Sequence, residues 1–440
     1  MATAAWATPP SPVGDWSGGL PLPGGMKLTL VLHVTAAPSG YAASLDSPDQ
    51  GALGLAVSSV SVDGDKLSFQ SVPLHAQFHG GWDPATSAWV GEFIQGGHPL
   101  PLSLAHGAPP PPSRPQTPQK PYPYREVEVA YDNPGHAHLT GTLTLPQGDG
   151  PFPAALLIPG SGLHDRDATL FGHKPFLVIA DALTRQGIAV LRVDERMVGG
   201  STGDVKGATL QDFADDAAAG VAYLRTRPDI DPKKVGLIGH SQGGMTAPLI
   251  AAQDRSIAFM VILAGPAIPT DQLLLKQQSL IAAVMGAPQD QIKQSQTLNR
   301  QVYQAIETNS PEVAKTEALR LYKAAGLPEA KAAAAVSEVN SPFFRSLFAY
   351  NPQKTLAQVT CPVLALDGSL DLQVPAKENI AALKAGLSGD HDVTIEELPG
   401  LNHLFQAAKT GAPSEYAKIT QTFDPAALLL MTDWVVRKTR

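Results

Sequence analysis

The stretch Val235-Gly236-Leu237-Ile238-Gly239-His240-Ser241-Gln242-Gly243-Gly244 constrains the fold of this chain more than any other. An apolar run ends at a glycine, a serine follows two residues later, and two further glycines open a segment, Met245 to Ala252, that reads as helix. Strand, sharp turn and helix therefore follow one another directly. A serine at the tip of such a turn has strained dihedrals and needs small neighbours two positions to either side, which Gly239 and Gly243 supply. The pattern predicts that Ser241 stands at the end of a buried strand, where its hydroxyl can act as a nucleophile. Gly-x-Ser-x-Gly recurs by chance in a chain with 40 glycines, so the flanking strand and helix carry the assignment.

The remaining pattern supplies a sheet for that strand. From Pro153 onward apolar runs alternate with amphipathic helices, the signature of a mostly parallel sheet covered on both faces. Ala154 to Ile158, Ile188 to Val193 and Ala258 to Leu263 read as strands; Phe176, Leu177, Ile179, Ala180 and Leu183 fall on one face of a helix ending at Gly187, and Leu210 to Leu224 marks another. At about 268–350 the alternation stops. Helical patterns there cover Leu273 to Val284, Gln291 to Glu307, Pro311 to Ala325 and Glu329 to Val339, which predicts a helical insertion serving as a lid. Its apolar residues, Leu273, Leu274, Leu275, Phe343, Phe344 and Phe348, either shape a pocket over Ser241 or dock the insertion on the core. The sheet resumes at Val363 to Leu366, followed by a helix at Lys377 to Leu387, a strand at Val393 to Leu398 and a closing helix at Pro425 to Val436.

Upstream the periodicity is different. Trp16 to Ala105 alternates apolar and polar positions in short runs broken by turns such as Asp63-Gly64-Asp65 and Asp46 to Gly51, which predicts an antiparallel β domain. Trp16-Ser17-Gly18 is echoed faintly by Trp89-Val90-Gly91. His33, His75, His79 and His98 lack metal-ligand spacing and read as surface or strand histidines, so no metal site is expected. The expected organisation is a β domain at 1–106, a proline-rich linker at 107–124 that includes Pro109 to Pro112, and a second domain at 125–440. Arg125 to Ala130 and His138 to Leu145 form a strand pair at the opening edge of the second sheet, with His136 and His138 exposed beside its turn.

Composition limits the partners. A net charge of −8 without clustered Lys and Arg argues against nucleic acid or an anionic membrane and suits an uncharged or weakly polar substrate. Cys361 is the single cysteine, so no internal disulfide forms; before Pro362 and an apolar run it reads as a buried strand-edge residue rather than a thiol nucleophile. No apolar run reaches the roughly 18 residues that span a bilayer. Met1 to Pro12 lacks a charged start and an apolar stretch and resembles a mature N-terminus behind a start methionine. Composition alone leaves both export, to the periplasm or medium, and the cytoplasm open. The pattern specifies no oligomeric state.

A nucleophilic serine needs a base, and the base needs an orienting acid. Asp371 follows the strand Val363 to Leu366 in a loop from which a carboxylate reaches an imidazole; Asp367, at the strand end, is its competitor. His403 lies after the last strand in the loop Pro399-Gly400-Leu401-Asn402-His403, where it can swing over Ser241. Backbone donors for a developing oxyanion would come from Gln242 and from Ser161 or Gly162 in the loop Pro159-Gly160-Ser161-Gly162. His240 reads as a packing and hydrogen-bonding residue beside the site rather than a second base, and with Met197, Phe344 and Phe348 it is a candidate for the pocket wall. Asp165-Arg166-Asp167 and Asp194-Glu195-Arg196 follow strand ends and are expected to pair structurally, and Asp215-Asp216 reads as a solvated or domain-facing helix surface.

These residues together resemble the α/β-hydrolase superfamily, and within it bacterial serine carboxylesterases related to dienelactone hydrolases and serine aminopeptidases. The matching motifs are Gly160-Ser161-Gly162 with Asp165-Arg166-Asp167, Gly239 to Gly244, Pro362 to Pro375, and Asn402-His403-Leu404-Phe405-Gln406. The resemblance runs from about Tyr124 to the C-terminus, and the N-terminal β domain is similar to an accessory domain carried by some of these esterases. It implies Ser241, Asp371 and His403 as a triad, an ester of small to medium acyl group as substrate, no cofactor, and export. Relatives usually carry glycine where Met197 follows Arg196, so Met197 is expected to be strained if the turn has positive φ, and to stand in or beside the site as an apolar wall. The competing readings are a peptidase or amidase of the same fold, and a binding protein without catalysis.

Overall fold

The computed structural model describes residues 10–21, 27–48, 52–95, 98–108, 113–390 and 392–440. The segment up to Pro9, the end of the Asp46 to Gly51 turn, Pro109 to Pro112 and the His98 side chain lie outside the described residues. The chain divides into two units: the described residues up to Ser113 with Leu170–Gly172, and Arg114–Thr169 with His173–Arg440.

The first unit is one antiparallel sheet of nine strands. These are β1 (Gly14–Pro21), β2 (Lys27–Ala37), β3 (Gly40–Ser47), β4 (Ala52–Ala56), β5 (Ser59–Asp63), β6 (Lys66–Ser71), β7 (Ala76–Asp83), β8 (Ala88–Gln95) and β9 (His98–His106), in the order β4-β3-β2-β1-β9-β8-β7-β6-β5. Alternate residues point inward, so Trp16, Leu32, Phe78, Trp89 and Leu104 fill a single core. The Trp-x-Gly echo has a packing reason. Trp16 and Trp89 meet edge to face with ring centres 6.0 Å apart, and a Cβ at Gly18 or Gly91 would run into the backbone of the adjacent strand. His33 bridges Asp15 and Asp46 at 2.7 and 2.9 Å. Burial lowers its pKa, but these two acidic partners outweigh that and raise it.

The second unit is a mixed sheet between two helical layers. Its strands are β10 (Arg125–Asn133), β11 (Ala137–Leu145), β12 (Phe152–Ile158), β13 (Ala189–Val193), β14 (Ile230–His240), β15 (Met260–Leu263), β16 (Val363–Gly368) and β17 (Val393–Leu398), in the order β10-β11-β13-β12-β14-β15-β16-β17. The two β10/β11 and β11/β13 pairings are antiparallel and the rest parallel. β12 reads as a continuous apolar run because both faces are covered: Ala154, Leu156 and Ile158 join one core, and Ala155 and Leu157 the other. The first core is closed by α2 (Leu210–Thr226), α3 (Gly243–Gln253) and α10 (Ala376–Gly386), the second by α1 (Pro175–Arg185) and α11 (Pro425–Thr439). Thr209 and Asp212 start α2 with a reciprocal capping box.

Between β15 and β16 come α4 (Thr270–Val284), α5 (Gln289–Thr308), α6 (Pro311–Ala324), α7 (Glu329–Val339), α8 (Pro342–Ala349) and α9 (Pro352–Leu356). α4 to α7 build a core of their own around Val302, Tyr303, Ile306 and Tyr322. α8 ties them to the sheet domain: Leu347 packs on Leu210 and Met245, Ser346 Oγ accepts the Leu210 amide at 2.9 Å, and Thr270 Oγ1 donates to the Leu347 carbonyl at 2.8 Å.

Two readings of the sequence change here. Arg114 to Tyr124, expected as linker, groups with the second unit, where Arg114 donates to the carbonyls of Ala417 and Ile419 at 2.9 and 3.0 Å and Gln116 donates to that of Phe423 at 2.7 Å. Asp216, expected on a solvated or domain-facing helix surface, is buried, takes the Arg196 guanidinium at 2.5 Å and accepts from Asn133 at 2.7 Å. Asp215 beside it is exposed.

Candidate active site

Ser241 caps β14 with φ of +54°, and its amide donates to the Leu263 carbonyl of the neighbouring strand at 2.8 Å. The turn fits only because its flanks are bare: a Cβ at Gly239 would collide with the Gly243 carbonyl, and one at Gly243 with the Ile158 carbonyl. A Cβ on Gly160 would come within 3.2 Å of Ser241 Cβ, so the loop after β12 runs against the serine.

Asp371 and His403 are brought together from the loops after β16 and β17. His403 Nδ1 lies 2.7 Å from Asp371 Oδ2, and the two side chains are 4% and 0% exposed. A carboxylate facing Nδ1 holds the proton there and leaves Nε2 as the acceptor. The other oxygen, Asp371 Oδ1, accepts the amides of Gln373 and Val374 at 2.7 and 2.8 Å. Asn402 Oδ1 accepts the amides of Leu404 and Gln406, both at 3.0 Å, which fixes the turn that carries His403. Asp367 is separate from this pair. It is buried at the end of β16 and receives Asn379 Nδ2 at 3.0 Å, while Asn379 also donates to the Gly265 carbonyl and accepts the Ala267 amide. Burial pushes the Asp367 carboxyl up to about 8 against the opposing Asn379 hydrogen bond, so it ties β16 to the loop after β15 as a neutral acid at pH 7.

His240 turns toward His403, with ring centres 4.9 Å apart, and its Nε2 donates to the His403 carbonyl at 2.9 Å. Burial first, then the charge of His403, lowers its pKa to about 3, so the ring stays neutral. The expectation that it packs and hydrogen-bonds fits this geometry; the ring is taken up by His403 and does not line the cavity at Ser241.

A cavity of about 460 Å³ opens at Ser241, within the range that holds a small organic ligand. Ser161, Gly162, Gln242, Met245, Leu273, Leu274, Phe343, Phe344, Leu347 and Val374 line it, and Thr270, Gln277, Glu338 and Gln373 add further polar groups. Among the described residues no protein acceptor takes the amides of Ser161, Gly162 or Gln242. Met197 and Phe348 are outside its wall. Met197 has φ of +64°, as the missing glycine suggested, but is 65% exposed: Asp194 and Arg196 face inward into ion pairs and the turn carries Met197 out to solvent. Phe348 packs on Tyr303 in the insertion's own core, ring centres 5.2 Å apart.

The expected pairing of the two charged triplets is present in part. Arg166 joins Asp194 at 2.7 Å and Arg192 joins Asp167, but Asp165 instead holds the Thr169 amide and hydroxyl at 2.8 and 2.7 Å. The sequence reading missed His164 and its amide's hydrogen bond to the Glu195 carboxyl, which joins the loops after β12 and β13 across 31 positions with no periodic signal. Among the described residues no group of three or more His, Cys, Asp or Glu side chains is gathered as a metal site requires.

This sheet, with Ser241 on the turn after β14, defines an α/β-hydrolase. Residues 174–407, more than half of the chain, match the family described as serine aminopeptidase S33, and the chain belongs to that family. It is 30% identical over 281 residues to Esterase EstD of Thermotoga maritima, covering 64% of this chain and 61% of that protein, so the likeness spans about three fifths of the relative's length. Among solved structures it is similar to the Pyrococcus furiosus esterase Pf2001, with 15% identity, TM-score 0.45 and coverage of 76% of this chain and 100% of that one. It is also similar to Est1E of Butyrivibrio proteoclasticus with ferulic acid bound, with 18% identity, TM-score 0.43 and coverage of 70% and 96%.

Proposed function

We propose that the protein is a serine carboxylic-ester hydrolase that forms an acyl-enzyme on Ser241 and takes small to medium acyl esters. The observation that carries this reading is the buried His403–Asp371 pair, 2.7 Å apart, in the same fold as a positive-φ serine that opens on a largely apolar cavity of about 460 Å³. The 30% identity to an esterase supports it.

In this mechanism Ser241 Oγ attacks the ester carbonyl as His403 Nε2 accepts its proton. Asp371 holds the Nδ1–H tautomer and stabilises the imidazolium. The carbonyl electron pair moves onto oxygen, where the amides of Gln242 and of Ser161 or Gly162 receive it; donors set in advance around such an oxyanion contribute about 10²–10³ each in rate. Collapse breaks the bond to the alcohol, which leaves with the proton from His403. Water then gives a proton to His403, attacks the acyl carbon and frees the acid, and the proton returns to Ser241. No cofactor takes part in this cycle. The helical insertion serves as the lid, with Leu273, Leu274, Phe343 and Phe344 against the acyl group. Hydrolysis of p-nitrophenyl acetate and butyrate is expected for the wild type and lost in Ser241→Ala; equal turnover in the variant would overturn the reading.

Glu338, which lines the cavity together with Gln277 and Gln373, favours one second reading, a peptidase or amidase that holds a substrate amine. Faster cleavage of leucine p-nitroanilide than of p-nitrophenyl butyrate would select it. Export to the periplasm or medium is part of the proposal, and fractionation of the native cells reports it.

A further inference from the structure

Glu195 follows β13 and does not line the Ser241 cavity, yet it is bound to the loop that does. Its Oε2 accepts the His164 amide at 2.8 Å, and its own amide donates to the His164 carbonyl at 3.0 Å. The two loops are thus clamped by a reciprocal pair of hydrogen bonds. His164 Nε2 in turn donates to the Ser161 carbonyl at 3.1 Å. That carbonyl and the Gly162 amide belong to one planar trans peptide and point in opposite directions. Holding the carbonyl on the His164 side therefore aims the Gly162 N–H away from His164 and leaves it free to donate. Glu195 also lines, with Gln242, the second expected donor, a cavity of about 40 Å³.

From this chain of contacts we infer that Glu195 is a positioning residue that, through His164, fixes the Ser161–Gly162 peptide as an oxyanion donor. The inference rests on the ester-hydrolase reading. The part requires only an acceptor oxygen for the His164 amide, which a glutamine also offers. Several charged or titratable groups stand around Glu195. His164 and Asp165 come from the loop after β12, Tyr131 from β10, and Asp194 is paired with Arg166. Asp216 of α2 is paired with Arg196. Burial, opposed by the His164 hydrogen bond and reinforced by Asp216, pushes the Glu195 carboxyl up to about 8. At pH 7 it thus adds little negative charge near an oxyanion.

The test compares wild type, Glu195→Ala, Glu195→Gln, His164→Ala and the Glu195→Ala/His164→Ala double variant with p-nitrophenyl butyrate at pH 7, alongside thermal melting. Glu195→Ala is expected to lower kcat about tenfold or more, in keeping with a misaimed rather than deleted donor, with KM within about twofold. Glu195→Gln should recover kcat to within about threefold of wild type. His164→Ala should match Glu195→Ala, and the double variant should lose no more than either alone, because both act on one peptide. If Glu195→Ala does not fold, His164→Ala carries the same expectation with Glu195 in place. Unchanged kcat in both single variants, a Glu195→Gln as slow as Glu195→Ala, or losses that multiply in the double variant would overturn the inference. A wild type without ester turnover would remove the ester-hydrolase reading and this inference with it; wild-type turnover with unaffected variants removes the inference alone.

Discussion

The strand-end loops of the sheet and the helical insertion border the same cavity but are built differently. At the strand ends polar groups are buried and held: Asp371 meets His403, Gln373 and Val374, and Asn402 holds its own turn. The insertion keeps a separate core around Val302 and Tyr303 and lends the cavity partly buried side chains such as Leu274, Phe343 and Phe344. A parallel sheet fixes its strand ends by hydrogen bonds and two packed faces, so groups placed there keep their geometry. Helices that dock through a few side chains are expected, under the proposed function, to tolerate changes in what the cavity accepts without disturbing that geometry. Chemistry and selectivity should therefore separate under mutation.

The largest effect tests the strand-end half. Asp371→Asn preserves size but disfavours the Nδ1–H tautomer of His403, and kcat should fall by about 10⁴ with little change in melting temperature. A loss below tenfold would mean that another group orients the imidazole. The insertion half is tested by a pair on one helix. Phe344→Ala, on the cavity wall, should shift the preference between acetate and octanoate esters by about tenfold, the lower end of what one methylene is worth in an apolar pocket. Phe348→Ala, packed on Tyr303, should leave that preference alone and cost roughly 2 kcal/mol of stability, less than a fully buried phenylalanine. Equal shifts from both would erase the distinction between wall and internal core.

A smaller effect separates the two acids that follow β16. The Asp367 carboxyl is pushed up to about 8 in the folded chain, whereas the unfolded side chain ionises near its ordinary value of about 3.9. Between those values the unfolded state binds fewer protons, so this group makes stability fall as pH rises through the window. Asp367→Asn stays neutral and removes that slope. Melting curves should show the variant gaining on wild type from pH 5 to pH 8; a gap that stays constant would contradict a neutral Asp367. The smallest effect is at Met197, whose +64° φ favours glycine. Met197→Gly should relieve up to about 1 kcal/mol of strain, partly offset by the added freedom of the unfolded chain, with kcat unchanged because the side chain is exposed.

Much of this organisation is written locally. The glycines around Ser241, the period change at Pro153 and the helical runs of the insertion each depend on neighbours in sequence, and β14, α3 and α4 to α7 follow them closely. The chain order of Asp371 and His403 pointed to loops that the fold does bring together. Other features depend on distant partners. Asp216 looks like a solvated or domain-facing position in sequence because Arg196, which neutralises it, comes from a different loop. Phe344 and Phe348 lie on one face of α8 and carry the same pattern, yet one meets the cavity and the other Tyr303. Apolar periodicity marks a face for burial without naming what covers it. Met197 carried a correct backbone signal, positive φ, but no information on where its side chain would point.

The central claim is that Ser241 is the nucleophile, and covalent labelling tests it most directly. Wild-type protein treated with a fluorophosphonate should lose ester hydrolysis in proportion to labelling, with the phosphonyl adduct found on the peptide that contains Ser241 and absent from Ser241→Ala. Loss of activity with the adduct on another residue, or full activity with Ser241 labelled, would contradict the account.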